Sequence, residues 1–165
     1  MKPLSNAERA AFALVRGNRF AVVRADGAFR LVAETDLATG DPVFEIEGRE
    51  TAVPSFRSVQ VGAGLHIDTA PGATITDEMD LYPWRFLNHS CAPSCRIDGR
   101  QVIAARDLLA GDELTFNYNT TEAVMAEPFA CACASPACAG TIAGYHAASP
   151  QEKVRLSGLV ADYLG

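Results

Sequence analysis

Three cysteines lie close together near the C-terminal end of the chain, in the stretch CACASPACAG at residues 131–140. The residues between Cys131, Cys133 and Cys138 are small, so three buried thiols in an ordinary loop is the weaker interpretation. A segment like this needs something other than core packing to hold it in one structure. Thiolates are the preferred ligands of structural zinc, which takes four of them in a closed tetrahedron. The sequence therefore predicts a zinc site with these three cysteines as ligands.

The fourth ligand has to come from elsewhere in the chain, and the spacing alone leaves three candidates. Cys91 and Cys95 both lie in the stretch RFLNHSCAPSC at residues 85–95, and His146 follows Cys138. The same stretch also permits a different chemistry, in which Cys91 or Cys95 is a nucleophile activated by His89 or His66. That second interpretation is weaker, because the sequence supplies no specific oxyanion donor or third orienting residue. His89 by itself would also suit a purely structural role.

The bulk properties suit one soluble globular domain. The chain has 165 residues, of which 48% are apolar and 21% charged, and this length is enough to bury a sizeable core. The formal net charge of -6 argues against direct binding of nucleic acid and is compatible with a basic partner. Five cysteines do not suit a disulfide framework. With no signal pattern and no apolar run of about 20 residues, we expect a cytoplasmic or nuclear protein without membrane contact.

The pattern of apolar residues predicts a mainly β fold with short helices. Between Phe20 and Ile67, short apolar runs are separated by turn signals such as Asp26-Gly27, which indicates several short strands. Residues 69–80 have the composition of a loop. Two further strands are expected within residues 100–108 and 113–118.

Helices are predicted only at the two ends of the chain. Ser5 and Glu8 have capping-box spacing, which favours a helix over residues 5–17. Ser149 and Glu152 repeat this spacing before a C-terminal helix over residues 149–164. We predict a single domain over residues 1–165, with a core at 18–125 and a zinc segment at 129–144 between these helices.

Three motifs in order resemble the SET-domain family of protein-lysine methyltransferases: RFLNHSC, then AGDELTFNY, then CACASPACAG. The earlier stretch AETDLATGDPVFEIEG is similar to the family's N-terminal strand pair. The resemblance implies a SET-type β fold with a pseudoknot, in which the ELTFNY segment passes beneath the chain that carries NHSC. It also implies S-adenosylmethionine as methyl donor and a lysine-containing protein or peptide, such as a histone tail, as substrate.

The same resemblance assigns roles to individual residues. It implies that the Tyr118 hydroxyl lies where the methyl group passes and that Phe116 lines the substrate channel beside it. It implies that four residues surround the methyl donor: Arg85, Phe86, Asn88 and His89. Cys91 is then the fourth zinc ligand, with Cys131, Cys133 and Cys138 from a post-SET zinc segment, and Cys95 is an ordinary packing residue.

The match fails at one position that matters for function. The family has the pattern G-x-G where its backbone approaches the methyl donor, whereas this chain has Ala28-Phe29-Arg30. This departure favours an alternative function, a catalytically inactive SET-like zinc module that binds a partner protein. The intact Asn88, His89 and Tyr118 favour the enzyme.

Overall fold

The computed structural model describes the backbone of residues 13–16 and all of residues 19–165. These residues form 13 short strands and two α-helices. The strands are β1 (Ala13–Arg16), β2 (Phe20–Ala25), β3 (Ala28–Ala33), β4 (Pro42–Glu45), β5 (Arg49–Thr51), β6 (Val59–Gly62), β7 (Leu65–Asp68), β8 (Asn88–His89), β9 (Cys95–Asp98), β10 (Gln101–Ala104), β11 (Glu113–Phe116), β12 (Phe129–Ala130) and β13 (Thr141–Ile142). The helices are α1 (Ile75–Leu81) and α2 (Pro150–Leu156). The predicted mainly β fold with short helices is confirmed.

The strands are arranged in four small sheets within the described residues, in the orders β1-β2-β3-β11-β8, β4-β10-β9, β5-β7-β6 and β12-β13. The β2–β3 hairpin turns at Asp26 and Gly27, whose φ angles of 52° and 78° match the two-residue turn that an Asp-Gly pair favours. The predicted turn is therefore present. No helix of the described residues is long and apolar enough to cross a membrane.

Strand β11 lies between β3 and β8, so the ELTFNY motif lies next to the RFLNHSC motif. It runs antiparallel to β3 and parallel to β8, with Thr115 opposite Asn88 and Phe116 opposite His89. The buried Ser94 hydroxyl strengthens this arrangement because it accepts the Thr115 N–H and lies 2.8 Å from the Glu113 carbonyl, to which it donates. Strand β11 is thus fixed directly beside Asn88 and His89.

The main core fills the space between the three larger sheets. Its fully buried side chains include Leu31 from β3, Ile67 from β7 and Leu114 from β11. A sheet of three or more strands is stabilised when its apolar face is buried, and these sheets bury theirs against one another. The shared core therefore holds the β8–β11 edge, where the site lies, against the other sheets.

Two predictions for the first half of the chain, a helix at residues 5–17 and a loop at residues 69–80, differ from the structure. Residues 13–16 form strand β1, paired with β2, so the helix predicted over 5–17 is wrong there; residues 5–12 and 17 lie outside the described residues. Residues 69–80 are not all loop, because α1 begins after Thr74. Thr74 and Asp77 form a reciprocal capping box, in which Asp replaces the usual Glu or Gln at the third helical position.

The C-terminal helix is shorter than predicted, and its acidic residue has another role. The Ser149 side chain caps α2 by accepting the Glu152 N–H, as expected, but the helix ends at Leu156 and only a 3-10 turn follows at Asp162–Leu164. The Glu152 carboxylate, which is buried, accepts from the Asn119 amide instead of completing a capping box. Helix α2 is thereby attached to the turn that directly follows β11.

A substitution at Gly144 tests the packing around Asn119, the residue that attaches helix α2 to the turn after β11. Its N–H donates to Asn119 Oδ1, its φ is 103°, and a Cβ added there would lie 2.7 Å from the Ala123 carbonyl oxygen. We expect Gly144→Ala to lower the free energy of unfolding by about 2–4 kcal/mol, because both the positive φ and the clash are unfavourable. Chemical denaturation measures the change.

Gly158→Ala is the matched control, since its Cβ would meet nothing within 4 Å. We expect a change below about 1 kcal/mol for this variant. Equal effects of the two substitutions would contradict the close packing described for Gly144.

Candidate active site and metal centre

The structure brings four of the five cysteines together. The Sγ atoms of Cys91, Cys131, Cys133 and Cys138 all lie within 4.8 Å of one another. Those of Cys91 and Cys131 are 3.9 Å apart, close to the edge of about 3.8 Å that a tetrahedron with Zn–S bonds of about 2.3 Å would have. The donor set and spacing therefore fit zinc. The two other candidates for the fourth ligand, Cys95 and His146, are outside this group.

Backbone N–H groups point at the clustered sulfur atoms, as expected for thiolates. Ala139 N donates to Cys91 Sγ, Cys133 N to Cys131 Sγ, and Gly140 N to Cys138 Sγ, each at 3.4 Å. Burial opposes ionisation of Cys133, but hydrogen bonds to its sulfur outweigh it and lower its pKa to about 6. Burial raises the pKa of Cys91 to about 12. Neighbouring thiolates repel one another, and a divalent cation would remove that repulsion.

Cys95 has a different environment. It is buried in strand β9, burial raises its pKa to about 11, and its sulfur contacts the Ser94 hydroxyl at 3.8 Å. A thiol with a raised pKa is a poor nucleophile. The structure is therefore consistent with the packing role predicted for Cys95, and the raised pKa values of Cys91 and Cys95 give no support to either of them as a nucleophile.

His89 lies between the cysteine cluster and Tyr118. Burial lowers the pKa of His89 to about 4, so its ring is neutral near pH 7. The Tyr118 backbone N–H donates to His89 Nδ1 at 3.2 Å, which places the ring proton on Nε2, 3.3 Å from Cys91 Sγ. Such a histidine orients a metal ligand from outside the coordination sphere. One side chain therefore connects the sulfur cluster to the tyrosine.

Tyr118 is held at both ends. Its hydroxyl donates to the Leu87 carbonyl oxygen at 2.8 Å, and its backbone N–H is bonded to His89. Burial raises the pKa of Tyr118 to about 12, which keeps the hydroxyl neutral. The predicted strand stops at Phe116, and Tyr118 begins the 3-10 turn Tyr118–Thr120. The tyrosine thus leaves the sheet and projects into the site.

A cavity of about 320 Å³ opens beside Tyr118. Phe116 and Tyr118, predicted to line one channel, both line it, and their ring centroids are 4.7 Å apart. The Phe129 ring also lines the cavity, with its centroid 5.9 Å from that of the Tyr118 ring. The remaining wall is mostly apolar, with Ile46, Val59, Trp84, Leu87, Ile97 and Met125 among its residues. Such a wall suits the methylene stem of a long side chain.

The four residues expected around the methyl donor do not share one environment. The Asn88 amide donates to the Phe29 carbonyl oxygen at 3.1 Å and to Glu113 Oε1 at 3.0 Å, which ties β8 to β3 and β11. Phe86 is buried against the Phe29 ring, with centroids 5.4 Å apart. Arg85 instead lines the cavity beside Tyr118. That these three residues and His89 contact the methyl donor stays a prediction.

Sequence reasoning missed several residues that build the site. Leu87 contributes a backbone carbonyl, which no residue pattern can reveal. Phe129 and Glu122 fall in the stretch of residues 119–130, where no structure was predicted, and both line the cavity. The position of Phe129, two residues before Cys131, was a usable signal, because the zinc segment has to pack against the rest of the protein through an apolar side chain.

Methyltransferase structures share this fold. KRYPTONITE in complex with mCHG DNA and SAH superposes with a TM-score of 0.54 and 22% identity, over 79% of this chain and 30% of that chain. The methyltransferase domain of human Histone-lysine N-methyltransferase SETMAR gives a TM-score of 0.53 and 18% identity, over 74% of this chain and 57% of that chain. At these identities the likeness shows the fold alone.

The chain belongs to the SET-domain family, whose family model matches residues 28–119. Among curated relatives, Methyltransferase flvH of Aspergillus flavus is 42% identical over 102 residues, covering 57% of this chain and 51% of the relative. Histone-lysine N-methyltransferase, H3 lysine-36 specific, of Aspergillus oryzae is 29% identical over 160 residues, covering 83% of this chain and 15% of the relative. This chain therefore spans about half or less of these relatives. The family resemblance drawn from three motifs is confirmed.

Metal analysis tests the sulfur cluster. We expect about one zinc ion per chain, as a closed site of four thiolates requires, and Cys133→Ser to weaken zinc affinity by at least about 100-fold. Inductively coupled plasma mass spectrometry and competition with a chromogenic chelator measure both quantities.

Cys95→Ala is the matched control, because it removes a thiol outside the cluster. It should keep the full zinc content. A folded wild-type protein without zinc, or zinc loss equal in both variants, would contradict the assignment.

Proposed function

We propose that this chain transfers a methyl group from S-adenosylmethionine to the side-chain amine of a lysine in a protein or peptide. The observation that carries the proposal is the fixed Tyr118 hydroxyl, which lies beside a mostly apolar cavity in a member of the SET-domain family. The named relatives act as methyltransferases. We further propose that residues 1–165 work as a single domain in the cytoplasm or nucleus.

For this reaction the protein has mainly to position the lysine amine and to favour its deprotonated form. A lysine ammonium, with a reference pKa of about 10.4, is not nucleophilic until it loses a proton. An apolar wall that includes Phe116, Trp84 and Phe129 favours the neutral amine. Alignment then supplies much of the rate, since a well-oriented reaction can gain about 7–11 kcal/mol.

Particular side chains are proposed to supply that alignment. Tyr118, held by Leu87 and His89, fixes a hydroxyl oxygen where the amine enters, and Phe116 limits the space beside it. When bound, S-adenosylmethionine supplies the methyl group as a sulfonium. Asn88 and His89, with Arg85 and Phe86 next to them, are the residues we propose to hold it.

The zinc segment is proposed to complete the cavity wall. Strand β12 begins at Phe129, two residues before Cys131, and pairs with β13, where Ile142 is fully buried. Zinc bound by the four cysteines would fix this hairpin and thereby the Phe129 ring over Tyr118. Its role is structural, with no open coordination position.

A histone tail is the substrate we propose to test first. One relative is named as H3 lysine-36 specific, and a neighbouring KRYPTONITE complex contains an H3(1-15) peptide. The net charge of -6 suits a basic peptide. The DNA in the KRYPTONITE complexes belongs to that protein, and the absence of direct nucleic-acid contact in this chain stays a prediction.

An inactive partner-binding module is the second candidate, and the sequence Ala28-Phe29-Arg30 favours it. The Phe29 ring packs against Phe86, and Arg30 approaches Asp26 at 3.5 Å, so its side chain extends along the hairpin toward the turn. The Phe29 carbonyl still meets Asn88. These contacts leave the backbone of β3 at the edge of the proposed donor site, which favours the enzyme.

Transfer of labelled methyl distinguishes the two candidates. We expect the wild-type protein, given labelled S-adenosylmethionine and histone H3, to label the substrate, and Tyr118→Phe to lower the rate by at least about tenfold because the hydroxyl positions the amine. Scintillation counting and mass spectrometry of the labelled lysine measure this.

Calorimetry with S-adenosylmethionine supplies the control. Tyr118→Phe should bind the donor with unchanged affinity, since the hydroxyl is proposed to act on the amine. A wild-type protein that binds no donor and labels neither histones nor a mixed protein pool is the inactive module.

A further inference from the structure

We propose that the Glu122 carboxylate binds the ammonium group of the incoming substrate within the cavity. This inference rests on the proposed function and deepens it, because it names the group that recognises the charged lysine on entry, before the amine loses its proton beside the apolar part of the wall. Glu122 lies at the cavity wall with Tyr118 and Phe116. It would direct a cationic side chain toward the tyrosine.

The position of Glu122 is fixed by its neighbours. Its Oε1 accepts the Gln60 backbone N–H at 2.7 Å, while the Gln60 side chain accepts the Ala123 N–H at 2.9 Å. Its own backbone N–H donates to the Tyr118 carbonyl at 3.0 Å. The carboxylate is therefore held by strand β6 and by the same turn that presents Tyr118.

Glu122 is a buried acid without a permanent cation beside it. Its exposure is 7%, and the ion pair it forms within residues 19–165 is with His66, whose Nε2 lies 3.7 Å from Oε2, too far for a hydrogen bond. Burial lowers the pKa of His66, so that ring is neutral near pH 7. A buried carboxylate is unfavourable unless a charge partner is present, and a substrate ammonium would be that partner.

The two arginines that line the cavity are not charge partners of Glu122. Arg57 NH1 lies 3.1 Å from Glu78 Oε1, and Arg85 Nε lies 3.7 Å from the same oxygen. Both arginines therefore pair with the buried Glu78 and not with Glu122. The other acid in the wall, Glu127, is exposed to solvent, where a charge contributes little to binding. Of the two carboxylates in the wall, Glu122 is the buried one, and within residues 19–165 neither cavity arginine is paired with it.

The protonation of Glu122 gives the interaction a pH dependence. Burial raises the pKa of Glu122 to about 7, so the carboxylate form increases from pH 6 to pH 8. Among the titratable groups near it, burial lowers the pKa of His66 and raises the pKa values of Tyr118 and Tyr163. Binding of a cation should therefore strengthen as pH rises through about 7.

A binding titration without methyl donor tests the proposal. The probes are n-butylammonium, which has the stem and charge of a lysine side chain, and n-butanol, which is similar in size and neutral. We expect wild-type protein at pH 8 to prefer the ammonium by about tenfold, as for a hydrogen bond to a charged group. The preference should decline toward pH 6. Chemical shifts of the cavity aromatic residues in NMR spectra report both affinities.

Glu122→Gln and Glu127→Gln form a matched pair, because each removes one negative charge from the same cavity wall. Gln at 122 can still accept from Gln60, so a purely structural role would leave both probes unchanged. We expect Glu122→Gln to abolish the preference for the ammonium and its pH dependence. Glu127→Gln should keep both.

The opposite results would overturn the proposal. Equal binding of the two probes by wild-type protein, or a preference that survives in Glu122→Gln, excludes Glu122 as the ammonium-binding group. A preference independent of pH between 6 and 8 excludes it also, and this wild-type measurement stands even if the variant does not fold. Because no donor is used, failure here is distinguishable from absence of methyl transfer.

Discussion

The convergence of four thiols from two distant parts of the chain is the interaction on which the site depends. Cys91 follows strand β8, in the main body of the fold, while the three other cysteines lie in a segment with almost no core of its own. Zinc across these sulfurs would supply the attachment that apolar packing cannot. Through Phe129, this attachment also sets one wall of the cavity.

The cysteine cluster and the tyrosine are parts of one connected structure. His89 has one ring nitrogen toward Cys91 and the other bonded to the Tyr118 backbone, and β8 is paired with β11. A shift of Cys91 would therefore be transmitted through His89 to Tyr118. This explains why Asn88, His89 and Cys91 occur within four positions: each contacts a different neighbour, and together they fix β8.

Sequence reasoning located the parts of the site that are defined by side-chain chemistry. The cysteine spacing indicated three ligands, and the family motifs added Cys91, Phe116 and Tyr118. The predictions failed where tertiary contacts determine the structure. Residues 13–16 have helical composition but pair with β2 as a strand. The Glu152 side chain was expected to complete a capping box but accepts a hydrogen bond from Asn119 instead. Glu122 could not have been found, because the burial of a charged residue depends on the folded neighbours.

The cavity is lined by two different parts of the chain, and this affects how its wall can change during evolution. Tyr118 is held by hydrogen bonds to Leu87 and His89, whereas residues 125–129, which also line the cavity, lead into the cysteine segment. Substitutions at Met125 or Pro128 can thus change the shape of the cavity wall while the hydrogen bonds of Tyr118 to Leu87 and His89 stay in place. The space beside the tyrosine can therefore vary without a change in the residues that hold it.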